Sequence, residues 1–281
     1  MKRLRIEHQT GFTYQGEVSA SYNEARMLPN STDSQFVLSS SLDIEPGTAV
    51  NHYVDYFGTR VAVFDVLSAH AALQITAKSL VEVRPRPLEY ADISWDRLHI
   101  EAARSIETVE QLSQTERTAP HPEVVEIARS IAAQHDDPGH AAHAIASTVG
   151  DAVEYMHGIT GVHSTANEAW EARKGVCQDI AHITLGALRE VGIPARYVSG
   201  YLHPRANAEV GVAVAGESHA WVEWFAGDWQ GFDPTNNIEI GDRHVLVGRG
   251  RDYSDVPPLR GVYAGPFTSL LHVKVMITRE A

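Results

Sequence analysis

Cys177 is the sole cysteine of a 281-residue chain, so it is either a reactive thiol or a buried apolar side chain. It follows Gly175-Val176 and opens a stripe of Ala181, Thr184, Leu185 and Leu188 at helical spacing. A helix starting there holds the thiol in its first turn. Unpaired N–H groups and the positive end of the helix dipole favour a thiolate at that point. His219 lies in Ser218-His219-Ala220-Trp221-Val222-Glu223-Trp224-Phe225, which is followed by Ala226-Gly227-Asp228 and then Trp229-Gln230-Gly231-Phe232-Asp233-Pro234. Two strands around a glycine turn predict a hairpin. A three-residue loop at Gly227 brings His219 and Asp233 to one face, whereas an even loop sends them to opposite faces.

Taken singly, a cysteine reads as core, a histidine as one of fifteen, and an Asp-Pro pair as a turn. Together they form a reaction set. A thiolate needs an imidazole to take its proton and later protonate the leaving amine, and the imidazole needs a carboxylate to fix its tautomer. Cys177, His219 and Asp233 therefore predict attack on an acyl carbon and a thioester intermediate. The backbone N–H of Cys177 is the expected oxyanion donor. Gln178, Tyr155 and Trp170 are candidates for a second donor, and Trp221, which shares the His219 strand face, is a candidate cleft wall.

The elements that must position these residues fall into an α+β pattern. Residues 4–83 read as short alternating strands separated by turns such as Pro46-Gly47 and Phe57-Gly58, which predicts an all-β sandwich. Arg84-Pro85-Arg86-Pro87 breaks the pattern, and the expected division is 1–86 and 87–281. Val124, Ile127, Ala128 and Ile131 recur at helical spacing, as do Ala141, Ala144, Ile145 and Val149. The Cys177 helix should run to about residue 191, stopped by Gly192 with Pro194 beyond. Strands then dominate. Residues 270–278 alternate, with Leu271, Val273, Val275 and Ile277 on one face.

Composition narrows the function. A net charge of −13 repels phosphate backbones, so nucleic acid is not an expected partner. Glu7, His8, Gln9 and Thr10 occupy the place of a signal-peptide apolar segment, and no apolar run approaches the ~20 residues that span a bilayer. A cytoplasmic protein without membrane attachment is expected. One cysteine rules out an intrachain disulfide and a thiolate metal cluster. His135-Asp136-Asp137-Pro138-Gly139-His140-Ala141-Ala142-His143 contains ligand-type residues, but Asp-Pro-Gly reads as a turn and helix start, so no metal is expected. Phosphate-loop, His-Glu-x-x-His and Gly-x-Ser-x-Gly motifs are absent from the sequence, and no cofactor is expected.

Four stretches carry a family resemblance: Gly175-Val176-Cys177-Gln178-Asp179-Ile180-Ala181-His182, Gly192-Ile193-Pro194-Ala195-Arg196-Tyr197-Val198-Ser199-Gly200-Tyr201, His219-Ala220-Trp221-Val222-Glu223 and Asp233-Pro234-Thr235-Asn236. They resemble the core of bacterial transglutaminase-like proteins, and Gly250-Arg251-Asp252-Tyr253-Ser254-Asp255-Val256-Pro257-Pro258 looks like a further stretch of that branch. Arg26 to Pro29 and Asp55-Tyr56-Phe57-Gly58 resemble the β-rich domain that accompanies the core. Ile180 stands where the family usually has an aromatic, and Thr59 where asparagine is common. The resemblance implies a papain-like core, with the Cys helix packed on the sheet that carries His and Asp. It implies a cysteine hydrolase or acyltransferase acting on a protein or peptide that carries a carboxamide. The alternative expectation is a non-enzymatic scaffold that binds a peptide or partner in the same cleft.

Overall fold

The computed structural model describes residues 1–84 and 93–281. The expected division at residue 86 lies outside the described residues. The first strands are β1 (Lys2–Val18), β2 (Ala20–Ala25), β3 (Gln35–Glu45), β4 (Val50–Val54), β5 (Arg60–Val66) and β6 (His70–Val83). Helices α1 (Trp95–Ala102), α2 (Ile106–Glu110), α3 (Pro122–Ala132) and α4 (Pro138–Ala152) follow. Next come β7 (Glu154–Tyr155), α5 (Ala166–Ala172), β8 (Lys174–Gly175) and α6 (Cys177–Glu190). The remainder is β9 (Ala195–Leu202), β10 (Ala213–Gly216), β11 (Ser218–Phe225), β12 (Trp229–Asp233), β13 (Ile238–Glu239), β14 (His244–Gly250), β15 (Leu259–Ala264) and β16 (Ser269–Arg279).

Among the described residues three larger sheets form, in the orders β10-β16-β1-β6-β3, β15-β2-β5-β4 and β13-β12-β11-β9-β14. Both ends of the chain build the first two, because β16 pairs antiparallel with β1 and β15 with β2. Strand alternation turns Leu4, Ile6 and Tyr14 of β1 to one face, which Leu73, Ile75, Val81 and Val83 of β6 share. That face is buried in two places. Tyr14, Leu73 and Ile75 join Phe64 and Val66 of β5 in one apolar cluster. Leu4, Ile6, Val81 and Val83 join Tyr201 of β9 and Val245 and Val247 of β14 in another. One long sheet thus touches both of its neighbours.

The alternation expected over residues 270–278 is present in β16, but it does not bury the whole stripe. Val275 and Ile277 are buried, whereas Leu271 and Val273 are more than half exposed. The reason is position. Leu271 pairs with Phe12 and Val273 with Thr10, while β10 flanks only the stretch from Val275 to Thr278, so the first half of β16 is a sheet edge.

The site depends on α6. Every residue from Gln178 to Arg189 is buried, so the helix is enclosed on all sides instead of showing one apolar stripe. Ile180, Ile183 and Leu185 belong to a cluster with Val124 of α3, Ile145 of α4, Trp170 of α5, and Val222 and Trp224 of β11. Ile180 is therefore a core side chain. Arg189 donates to the carbonyls of Gln111, Ala195 and Arg251 and to the Thr118 hydroxyl, which fastens the far end of the helix. The helix stops where the sequence requires it. Gly192 adopts φ +80°, a left-handed conformation that favours glycine, and its N–H and that of Ile193 close back on Arg189 and Leu188.

The stretches quoted from the β-rich region meet each other and the third sheet. Arg26 Nε donates to Asp55 Oδ2 at 3.3 Å, and Asp55 Oδ1 accepts from the N–H groups of Phe57 and Thr59. The buried Thr59 hydroxyl accepts from the Arg249 N–H at 3.3 Å. Threonine at 59 thus bonds directly to β14. Among the described residues no helix is long and apolar enough to cross a membrane.

Candidate active site

Cys177 is the first residue of α6 and is half-buried. Its N–H belongs to the turn whose donors have no acceptor within the helix. Asp179 fastens that turn. Its Oδ2 accepts from the Val176 N–H at 2.8 Å and from the Thr160 hydroxyl at 2.6 Å. A Cβ on Gly175 would stand 2.8 Å from the same Oδ2, so this close cap fits a glycine at 175.

The β11–β12 hairpin has the odd loop. Phe225 pairs with Trp229, leaving Ala226, Gly227 (φ +86°) and Asp228 between them. His219 and Asp233 then fall on the same face. His219 Nε2 lies 2.7 Å from Asp233 Oδ2, and Asp233 is fully buried. Oδ2 also accepts from Asn236 Nδ2 at 2.8 Å and from His244 Nε2 at 3.3 Å. Oδ1 accepts from the N–H groups of Thr235 and Asn236 at 3.1 and 3.2 Å.

These contacts set the charges. Burial works to protonate Asp233, but the hydrogen bonds from His219 and His244 and the positive charge of His219 outweigh it and hold the carboxyl well below its usual range. For His219 burial favours the neutral ring, yet hydrogen bonds to Asp233 and Cys177 and the negative charge of each raise the imidazole to about 10. Asp233 occupies Nε2, so Nδ1 is the nitrogen left to face the thiol. Burial lowers His244 below the ordinary imidazole value and keeps it neutral, against the pull of Asp233.

The raised imidazole has a consequence for stability. The folded His219 holds its proton above the ordinary value of 6.5, so its contribution is fully present below about pH 6.5 and is lost as pH rises through about 10. We expect the urea midpoint to fall across that window and the fall to be reduced in His219→Gln.

The remaining sequence candidates occupy different places. Trp221 is buried, with its ring centroid 6.2 Å from that of His219 and 5.4 Å from that of His244. Gly200 makes room for it, since a Cβ there would lie 2.6 Å from the Trp221 ring and 2.1 Å from the Val245 carbonyl oxygen. Tyr155 is partly exposed, and its hydroxyl reaches Glu217 at 3.5 Å. Burial and then the charges of Cys177, Glu217 and Asp233 push its phenol upward. Gln178 is buried directly after Cys177. Trp170 is buried with its indole N–H donating to Glu123 Oε2 at 3.0 Å and Arg173 stacked on its ring at 3.8 Å, so that donor is committed away from the thiol. Within His135 to His143, Asp137 caps α4 by accepting from the His140 N–H at 2.9 Å.

Three neighbours of the site were not assigned roles from the sequence. Asn236 sits in the quoted Asp233-Pro234-Thr235-Asn236 stretch, two turn residues from the carboxylate it bonds. Tyr197 of β9 is buried, and its phenol is raised first by burial and then by the charge of Cys177. His244 comes from β14, whose pairing with β9 shifts register between Leu246 and Gly248. The apolar run Val245-Leu246-Val247 after His244, with its β-branched valines, signals a strand but does not tell which strand it joins.

Residues 4–82 match the bacterial transglutaminase-like N-terminal region, and residues 125–234 match the transglutaminase-like superfamily. An uncharacterized Mycobacterium leprae protein is 42% identical over the full length of both chains. A protein-glutamine gamma-glutamyltransferase of Pseudomonas aeruginosa is 33% identical over 114 residues, 36% of this chain and 17% of that protein. A crystal structure from Cytophaga hutchinsonii, provisionally described as a cysteine protease, shares the fold at a TM-score of 0.74 and 19% identity, covering 99% of this chain and 98% of that one.

Proposed function

Because the chain belongs to the transglutaminase-like superfamily, we propose that it is an enzyme that opens amide bonds through a Cys177 thioester, ending in hydrolysis or in transfer to an amine. One observation carries this reading: the imidazole that bonds a buried carboxylate through Nε2 also feels the hydrogen bond and charge of a thiol at a helix N-terminus. The nucleophile, base and orienting group of a covalent mechanism are then in sequence. The names carried by the Pseudomonas and Cytophaga proteins support transfer and hydrolysis respectively. In this reading the two sheets that share the first core form a β-sandwich, and the α6-centred part is a papain-like core.

The His219 imidazolium holds the proton it shares with the Cys177 sulfur at Nδ1, and Asp233 stabilises that charged form. The Cys177 sulfur attacks the carboxamide carbon of a protein or peptide, and the C–N bond breaks as the imidazolium returns its proton to the departing ammonia or amine. The first-turn N–H of Cys177 supports the oxygen that becomes negative. Water or an amine then attacks the thioester, His219 removes its proton, and the thiol is regenerated.

The test is a glutamine-containing protein offered with a labelled primary amine. Incorporation of label identifies transfer, and new termini or ammonia without incorporation identify hydrolysis. Absence of all three from a protein whose Cys177 is also unreactive to iodoacetamide overturns the reading.

A further inference from the structure

Asp233 accepts from more donors than a His–Asp pair needs, and of those beyond His219 the one most removed in sequence is His244. The position of its proton is settled by its partners. The Gly241 N–H donates to His244 Nδ1 at 3.2 Å, so Nδ1 bears a lone pair and Nε2 carries the hydrogen directed at Asp233 Oδ2. The ring is buried and packs edge-on against Trp221 with an interplanar angle of 71°. His244 lies beyond residue 234, where the superfamily match ends.

We infer that His244 is a positioning residue whose Nε2–H competes with His219 for Asp233 Oδ2, keeping the His219 imidazolium acidic enough to give its proton to the leaving group. The inference rests on the cysteine-enzyme reading above. Each donor to a carboxylate stabilises its charge and lowers its basicity. Oδ2 serves His219, Asn236 and His244, so its hold on the His219 proton is diluted. An acid that must release a proton near neutral pH works best when it is not held too strongly. The charged and titratable groups around the pair are Cys177 on α6, Tyr155 on β7, Glu217 just before β11, and Arg243 beside His244. None of them supplies a second neutral donor to Oδ2.

The test compares His244→Phe, which keeps a ring against Trp221 without the donor, with His244→Gln, which places an amide N–H near the position of Nε2. Imidazole 15N NMR follows the His219 titration, with its resonance identified by its loss in His219→Ala. We expect His244→Phe to move that titration upward by at least about half a unit and to slow amide turnover roughly tenfold at neutral pH, and His244→Gln to restore both. If His244 acted only by packing, its loss would loosen Asp233 and move the titration downward. A downward or unmoved titration therefore overturns the inference. Where a thermal melt shows that phenylalanine disturbs folding, His244→Leu repeats the measurement with a smaller side chain. Fast, His219-dependent alkylation of Cys177 with an unmoved titration removes only the role of His244. Sluggish alkylation of the unmutated protein removes the enzyme reading itself.

Discussion

Asp233→Ala is expected to lower amide turnover by about four orders of magnitude, because the His219 imidazole loses the group that fixes its tautomer and stabilises its positive form. The same change should cost stability. In the folded chain Oδ1 accepts two backbone N–H groups and Oδ2 accepts His219, Asn236 and His244. Removing a fully buried carboxylate leaves those donors unpaired, including the His219 ring whose charged form it stabilises. Breaking a buried pair in this way costs roughly 3–5 kcal/mol, and urea denaturation at pH 7 measures it. A variant that keeps its stability would show that the donors find other acceptors and that Asp233 does not organise the site.

Cys177→Ala should give the opposite signature. Loss of the nucleophile removes the thioester and reduces kcat by on the order of 10^6-fold. Stability should change by no more than about 1 kcal/mol, since the thiol is half-buried and alanine fits a first helical turn. The His219 ring should titrate lower in this variant, because a hydrogen bond and a negative charge that raise it have gone. Residual turnover close to that of the unmutated protein would place the chemistry elsewhere.

The parts of the site that were legible in the sequence are those set by local rules. A three-residue loop with glycine at a positive φ determines the β11–β12 register, and strand alternation then brings His219 to Asp233. Gly192 ends α6 for an equally local reason, its left-handed backbone. Asn236 stood inside a quoted motif, but its amide contact with Oδ2 depends on how the chain turns after Pro234. His244 was not legible at all. It reaches Asp233 because β14 pairs with β9 across a bulge, a long-range choice that residue types do not encode. The same limit hid the return of β15 and β16 to the sheets of the chain start, and alternation alone did not reveal that Leu271 and Val273 lie on an uncovered edge. Trp170 shows the converse. A tryptophan near the Cys helix resembles a cleft donor in sequence, yet its N–H is directed to Glu123.

Whether Cys177 is a nucleophile activated by His219 is read most directly from the rate of its alkylation. Cys177 is the sole cysteine, so mass spectrometry of intact protein treated with iodoacetamide at pH 7 reads that one site. We expect rapid modification of the native protein and a rate at least about tenfold slower in His219→Ala, because the imidazole that stabilises the thiolate is gone. Equal, slow labelling of both proteins would contradict the claim.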